Sequence, residues 1–368
     1  MRADRLRHQR LTGPGLPGPV EVITWLGAVQ AQDFAGALWA LAQRIESPVT
    51  AADLQTAFDA GAFIRTHILR PTWHVVAAAD LRWMLALSAP RVQAACSRGY
   101  RRLGIDARTR LRAERVMQRA LEGGRHLTRH GVAAALRQAR IATEDQRLVY
   151  LLMHAELEGL ICSGPRHAGQ HTYALVDERV PAASRLVREE ALARLMLRYF
   201  TSHGPATAKD AAWWSGLTLG DVREGVALAG DALEDRLING RYHWQGSGLR
   251  ASRVTRGGVV HLLSNFDEYT VAYRDRGALL HPSVPMTSAT QLALLSQPVM
   301  VDGRSAGTWR RLRSTVHRPP SPGEARHGSV GIAVTTYSPL SPLRVRALER
   351  AAARYGEYLQ VGVNVNVQ

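Results

Sequence analysis

The sequence is almost without lysine: Lys209 is the single one among 47 Lys and Arg residues. That absence excludes a P-loop, which needs a Gly-Lys-Ser/Thr run, and confines Schiff-base chemistry to Lys209 or the N-terminal amine. Cysteine is equally scarce. Cys96 and Cys162 supply neither a disulfide framework nor a zinc-binding pattern, which fits a reducing cytoplasm. No HExxH motif is present, and His67 with His74 is too thin a set to hold a metal. No apolar run approaches the ~20 residues of a membrane span, and the stretch from Met1 to Arg7 lacks the apolar core of a signal peptide. A cytoplasmic protein without metal, cofactor or membrane partner is expected.

Acidic residues are also in short supply. Asp and Glu number 31 against 47 Lys and Arg, for a formal charge of +16. Such an excess points to a polyanionic partner, nucleic acid before anionic membrane, and the missing membrane signals leave nucleic acid. Arginine forks well onto phosphates and guanine edges. Its near-total replacement of lysine reads as a consequence of GC-rich coding, whereas the net charge reads as functional. With 46% hydrophobic and 21% charged residues, the chain is an ordinary globular protein. Its 368 residues suffice for two to four domains.

Helices followed by a short β-hairpin recur along the chain. In residues 1–124 a helix is expected over 20–31, with another from Thr50, where Thr-Ala-Ala-Asp forms an N-cap signature. Residues Phe63–Val76 then alternate like paired strands, and helix resumes at Asp80. In residues 125–182, helices over Val132–Ala139 and Asp145–Glu158 precede a strand at Leu160, a tip at Gly164–Gly169 and a return strand from Gln170. Helix, turn, helix and two-stranded wing is the winged-helix order. Residues 183–249 repeat it, closing on a hairpin whose turn is Asn239-Gly240. From about residue 250 strands dominate, with a tight turn at Asp302-Gly303 and a helix over Arg344–Tyr358. The fold class expected is α+β: three tandem winged-helix modules and a β-rich C-terminal region, 250–368.

The most informative short motif is Gln30-Ala31-Gln32, at the end of the amphipathic run from Glu21. Glutamines two apart diverge on a straight helix, yet an extended turn or frayed helix end can aim both into one cleft. A glutamine amide is both donor and acceptor. It is no acid or base, but it can hold a water or stabilise a cation. Alone, the triplet is better explained by a solvated helix end.

Four ordered segments give it a setting: Leu26–Gln32 (LGAVQAQ), Thr66–Val76 (THILRPTWHVV), Asn265–Arg276 (NFDEYTVAYRDR) and Val301–Arg311 (VDGRSAGTWRR). Through them the chain resembles the winged-helix DNA glycosylases related to AlkZ and YcaQ, over nearly its whole length. The resemblance implies a C-shaped protein with a basic concave face for duplex DNA. It implies a glutamine–hydrophobic–glutamine catalytic motif, matched by Gln30 and Gln32 with a small Ala31 between them. The glutamine form looks like the AlkZ branch, which is linked to interstrand crosslinks and bulky N7-alkylpurines. It also implies a cleft hairpin, mapped here onto Trp309–Tyr337. The expected partner is duplex DNA carrying an alkylated purine, bound by a monomer and cleaved to leave an abasic site. Either self-resistance or general repair would fit.

DNA contacts are expected from Arg65, His67, Arg70, Thr72 and His74 beside the glutamines, and from Arg313, Arg318 and Arg326 on the hairpin. A solvated strand face with one packed histidine explains the first group equally well. Asp267 and Arg274 are candidates for a supporting role, although an ion-pair network tying the C-terminal region to the third module is favoured over an acid/base centre. Trp213-Trp214 reads as helix core rather than a base-stacking surface, and the arginine tract over 98–115 as either a solvated helix face or a backbone contact. Gly13–Gly18 matches GxGxxG spacing but has no preceding strand, so it is read as a turn. The alternative to a glycosylase is a non-catalytic winged-helix DNA-binding or regulatory protein, which has no need of the glutamine pair; an RNA-directed protein is a third reading.

Overall fold

The computed structural model describes residues 1–183, 186–249, 258–281, 283–312 and 329–367. They form a mixed α+β fold built around a small antiparallel sheet. Its strands are β1 (Val29–Gln30), β2 (Phe63–Ile68) and β3 (Arg70–Ala77), in the order β1-β3-β2. Alternation sends successive side chains to opposite faces. Phe63, Val75 and Ala77 enter one core, while Ile64, Ile68 and Val76 enter another. With both faces covered, polar side chains in these strands must find protein partners or stay orphaned.

The first core joins helices Pro19–Leu26, Phe34–Ala42 and Ala51–Asp59 to the C-terminal sheet and the helix Pro342–Leu359. Thr50 and Asp53 form a reciprocal capping box at the third of these, as the sequence predicts. The second core joins the opposite face to helices Leu81–Arg102, Arg188–His203, Ala208–Ser215 and Leu219–Ala229. A hairpin of Leu233–Ile238 and Arg241–Gly246 follows, with Asn239 and Gly240 both at positive φ, as a tight two-residue hairpin turn requires. A third core belongs to residues around 89–175, where the order is helix Ala107–Leu121, strand Leu127–Thr128, helices Arg129–Gln138 and Arg147–Leu157, then strands Ile161–Ser163 and Thr172–Leu175.

The C-terminal sheet has five strands in the order Gly362–Val367, Ser329–Thr336, Arg304–Leu312, Pro298–Val301, Val260–Leu262. Its one parallel pair, 329–336 with 362–367, is bridged by the helix Pro342–Leu359. The expected hairpin has its arms in this sheet, paired from Gly307 opposite Thr336 to Leu312 opposite Gly331. Its tip, with Arg313, Arg318 and Arg326, lies outside the described residues.

Two expectations change. The helix predicted over 20–31 stops at Leu26, because Gly27 turns the chain at φ 85° and Gln30 enters a strand. The strand at 362–367 was not anticipated, although its valines alternate with polar residues. Among the described residues no helix is long and apolar enough to cross a membrane.

Candidate functional site

The glutamine triplet is fixed from both sides. At Gly27 an added Cβ would lie 3.2 Å from the Trp214 ring, so glycine is needed both for the turn and for the close approach. Gln30 then pairs with His74 across β1 and β3, and the Ala31 N–H continues the ladder to the Trp73 carbonyl at 2.7 Å. After Gln32, the Asp33 carboxylate accepts from the Gly36 N–H and caps the helix Phe34–Ala42. Asn265 in turn donates to Asp33 at 2.8 Å. Gln30 ends the strand Val29–Gln30 and Gln32 stands in the bend beyond it, so the divergence of i, i+2 neighbours on a helix does not apply to them.

The two glutamines sit differently. Gln30 is buried, and its amide oxygen accepts from Arg70 Nη2 at 2.7 Å. A guanidinium only donates, so that contact settles which end of the amide faces it. The Gln30 backbone N–H donates to Glu268 Oε1 at 2.9 Å. Gln32 is exposed, and its side chain makes no hydrogen bond among the described residues. One amide is therefore locked in place, and the other is presented to solvent from a backbone held at both flanks.

Glu268 is the anchor that sequence reasoning did not single out. Its carboxylate is fully buried. Oε1 takes the Gln30 N–H and Oε2 the Trp214 Nε1–H, each at 2.9 Å, with His203 Nε2 3.4 Å from Oε2 without hydrogen-bond alignment. Three distant segments of chain meet at this one side chain. The neighbouring Asp267 faces elsewhere: it forms a two-pronged pair with the buried Arg44, at 2.8 and 3.0 Å. Asp267 itself thus ties the C-terminal region to the segment after the helix Phe34–Ala42, and its part is structural. Contact with the 183–249 segment comes from Glu268 with Trp214, from the Arg274 and Asp275 backbone N–H groups, which donate to Asp210, and from an exposed ion pair of Asp275 with Arg241 at 3.3 Å. The Arg274 side chain is exposed.

Of the expected DNA contacts, Arg65 and Arg70 are partly open. The Arg65 Nε donates to the Ala31 carbonyl at 3.0 Å, and its guanidinium lies over the Trp73 ring. Desolvation lowers the pKa of both arginines. Expectations for the two histidines are revised, since neither ring is available to a phosphate. His67 is buried against Glu156 and Trp73. His74 is fully buried, and desolvation holds its pKa well below the usual imidazole value. The His74 Nδ1–H donates to the Thr72 carbonyl, which leaves Nε2 as a bare acceptor without a partner. The hydroxyls of Thr66 and Thr72 are likewise buried and unpartnered. Opposed pairing of Gln30 and Thr66 with His74 puts these orphans on the Gln30 face of the sheet.

The tryptophan pair divides. Trp214 is core, whereas Trp213 is 44% exposed beside Arg70, which donates to its carbonyl at 3.3 Å. In the 98–115 tract, Arg98, Arg101, Arg102, Arg108, Arg112 and Arg115 are exposed on two successive helices. No group of three or more His, Cys, Asp or Glu residues arranged for a metal occurs among the described residues.

A family model described as DNA glycosylase AlkZ-like matches residues 23–358. Among solved structures, the Streptomyces sahachiroi DNA glycosylase AlkZ superposes with a TM-score of 0.77, covering 100% of this chain and 98% of that one. At 21% identity this likeness is one of fold. No curated protein matches the sequence.

Proposed function

The chain belongs to the AlkZ-like DNA glycosylase family, and we propose that it is a monofunctional enzyme excising N7-alkylated purines from duplex DNA. On this reading the helix-and-hairpin units are three winged-helix modules around a basic cleft, over residues 1–124, 125–182 and 183–249, with 250–368 closing it.

The chemistry asks little of an acid. Alkylation at N7 makes the purine cationic, so the electron pair of the glycosidic bond can leave with the base and neutralise it. The sugar passes through an oxocarbenium-like state. Water adds at C1′ and loses a proton, leaving an abasic site and a free alkylpurine. A neutral amide suits both needs of that path: its carbonyl dipole stabilises the sugar's positive charge and holds the attacking water in line.

The observation that carries the proposal is the exposed amide of Gln32, unbonded among the described residues, two residues along the chain from the locked amide of Gln30. Gln32 is assigned the contact with sugar and water. Gln30, with one lone pair committed to Arg70, orients that contact through the strand and its remaining amide valences. Arg70, a cation regardless of burial, is assigned to the phosphate next to the lesion, together with Arg65 and the hairpin arginines Arg313, Arg318 and Arg326, while the buried Thr72 hydroxyl is withdrawn from that set. Phosphate contacts position the duplex without reading its sequence, as a lesion-directed enzyme requires.

The glutamine form of the motif, at Gln30 and Gln32, is what supports a bulky adduct or crosslink as the lesion, with a simple methyl group the other candidate. Incubation of the protein with a duplex carrying one N7-alkylguanine tests the reading. Free alkylguanine should appear, with strand scission only after hot alkali. Tight duplex binding without base release, on both a methylated and a crosslinked duplex, would instead favour a binding protein.

A further inference from the structure

We propose that Trp213 is a stacking surface for a nucleobase that the lesion leaves without its normal neighbour. The proposal rests on the glycosylase reading only in assigning the ligand to damaged duplex.

Trp213 lies on the helix Ala208–Ser215, one residue before the core tryptophan Trp214. Adjacent positions on a helix point about 100° apart, so burial of one ring does not require burial of the next. Here it releases the second: Trp214 is fully buried and Trp213 is 44% exposed. An exposed indole on a soluble surface is often free to turn, but this one is fixed. Its Nε1–H donates to the Val271 carbonyl at 3.0 Å. A ring pinned by its only polar atom presents an apolar face without the entropic cost of ordering it on binding.

Its neighbours are cationic. Arg70 and Arg276 carry guanidinium carbons 5.9 and 5.4 Å from the ring centroid. Arg70 joins the ring to the glutamines directly, donating Nη2 to Gln30 and Nη1 to the Trp213 backbone. Arg276 is buried, with Nε committed to the Thr270 carbonyl and Nη2 unpartnered. A flat, rigid, half-open aromatic with two arginines near it, joined to Gln30 by two hydrogen bonds through Arg70, matches what a nucleobase offers. The base supplies a π-face for the indole, and its phosphates supply an acceptor for the partly open Arg70. A neutral peptide would leave the partly open Arg70 guanidinium without an anion, and a lipid would not explain the fixed edge.

Base–aromatic stacking of this kind corresponds to roughly 5- to 150-fold in affinity per base. The test uses the full chain and a duplex with one tetrahydrofuran abasic analogue, which is inert to base excision, opposite 2-aminopurine. Wild type should quench the 2-aminopurine fluorescence. Trp213→Phe, which keeps a ring, should retain most of the quenching and affinity. Trp213→Leu should relieve the quenching and bind the lesion duplex about 5- to 150-fold more weakly, with undamaged duplex and the salt slope little changed. Equal behaviour of the leucine and phenylalanine proteins would overturn the proposal. So would an equal loss on undamaged DNA, or a wild type that fails to quench, a result needing no variant. Because the probe carries no excisable base, absence of glycosylase activity would refute the catalytic reading without touching this measurement.

Discussion

Removal of the Glu268 carboxylate should loosen the strand that carries the glutamines. The side chain is fully buried and accepts from the Gln30 N–H and the Trp214 Nε1–H at 2.9 Å each. Glu268→Ala leaves both donors inside the protein with no acceptor. Each orphan costs about 1–3 kcal/mol, so the loss should be about 2–6 kcal/mol before any cavity is counted. Glu268→Gln keeps the shape and one strong acceptor. Its carbonyl can serve Gln30, but its NH2 then meets the Trp214 N–H, leaving one orphan and a loss of about 1–3 kcal/mol. Urea unfolding at pH 7 reads both values, with unchanged m showing that the unfolded state is not the source. Base release should fall with Glu268→Ala even where the protein remains folded, because the Gln30 backbone loses its tether. A Glu268→Ala protein within about 0.5 kcal/mol of wild type, or a glutamine variant less stable than the alanine one, would refute this account of the anchor.

Breaking the buried Arg44–Asp267 pair by Arg44→Ala should cost about 3–5 kcal/mol, and a double-mutant cycle with Asp267→Ala should show that most of it is shared; purely additive losses would contradict the pairing. Arg70→Ala should weaken binding to any duplex sequence and lower the salt slope by about 1, and an unchanged slope would deny its phosphate contact. Burial beside Arg44 and Arg354 lowers the pKa of His261 from 6.5 to about 4. Between those values the unfolded chain binds the extra proton, so stability is full above pH 6.5 and is lost as pH falls toward 4, at about 1.4 kcal/mol per pH unit. Chemical denaturation across that window should be flatter for a folded His261→Asn protein, and an identical slope would remove His261 from the cause.

What could be read from the sequence was mostly local. The alternation over Phe63–Val76, the Thr50 cap and the Asn239-Gly240 turn are set by neighbours in sequence, and each appears in the fold. The fate of Gln30 was half legible. Its amphipathic run suggested a longer helix, but Gly27 packs against Trp214, nearly 190 residues away, and the chain turns there. Glu268 and Asp267 look alike in sequence. Only the fold sends one carboxylate to Gln30 and the other to Arg44. Arg44 itself carried no signal, since nothing local marks a buried arginine in an arginine-rich chain. The strand alternation correctly grouped polar residues near the glutamines but could not reveal that both faces of the sheet are covered, which is why His67 and His74 prove buried. For the Trp213-Trp214 pair, helical spacing alone would have separated the two rings; treating them as one unit hid the exposed one.

The most direct test of the central claim is the single-turnover rate of base release from an N7-alkylguanine duplex, measured for wild type, Gln30→Ala and Gln32→Ala beside each protein's affinity for the same duplex. The account predicts that Gln32→Ala slows release by about 10²–10³-fold while binding stays near wild type, with Gln30→Ala also impaired. A Gln32→Ala protein that releases the base at the wild-type rate would contradict it.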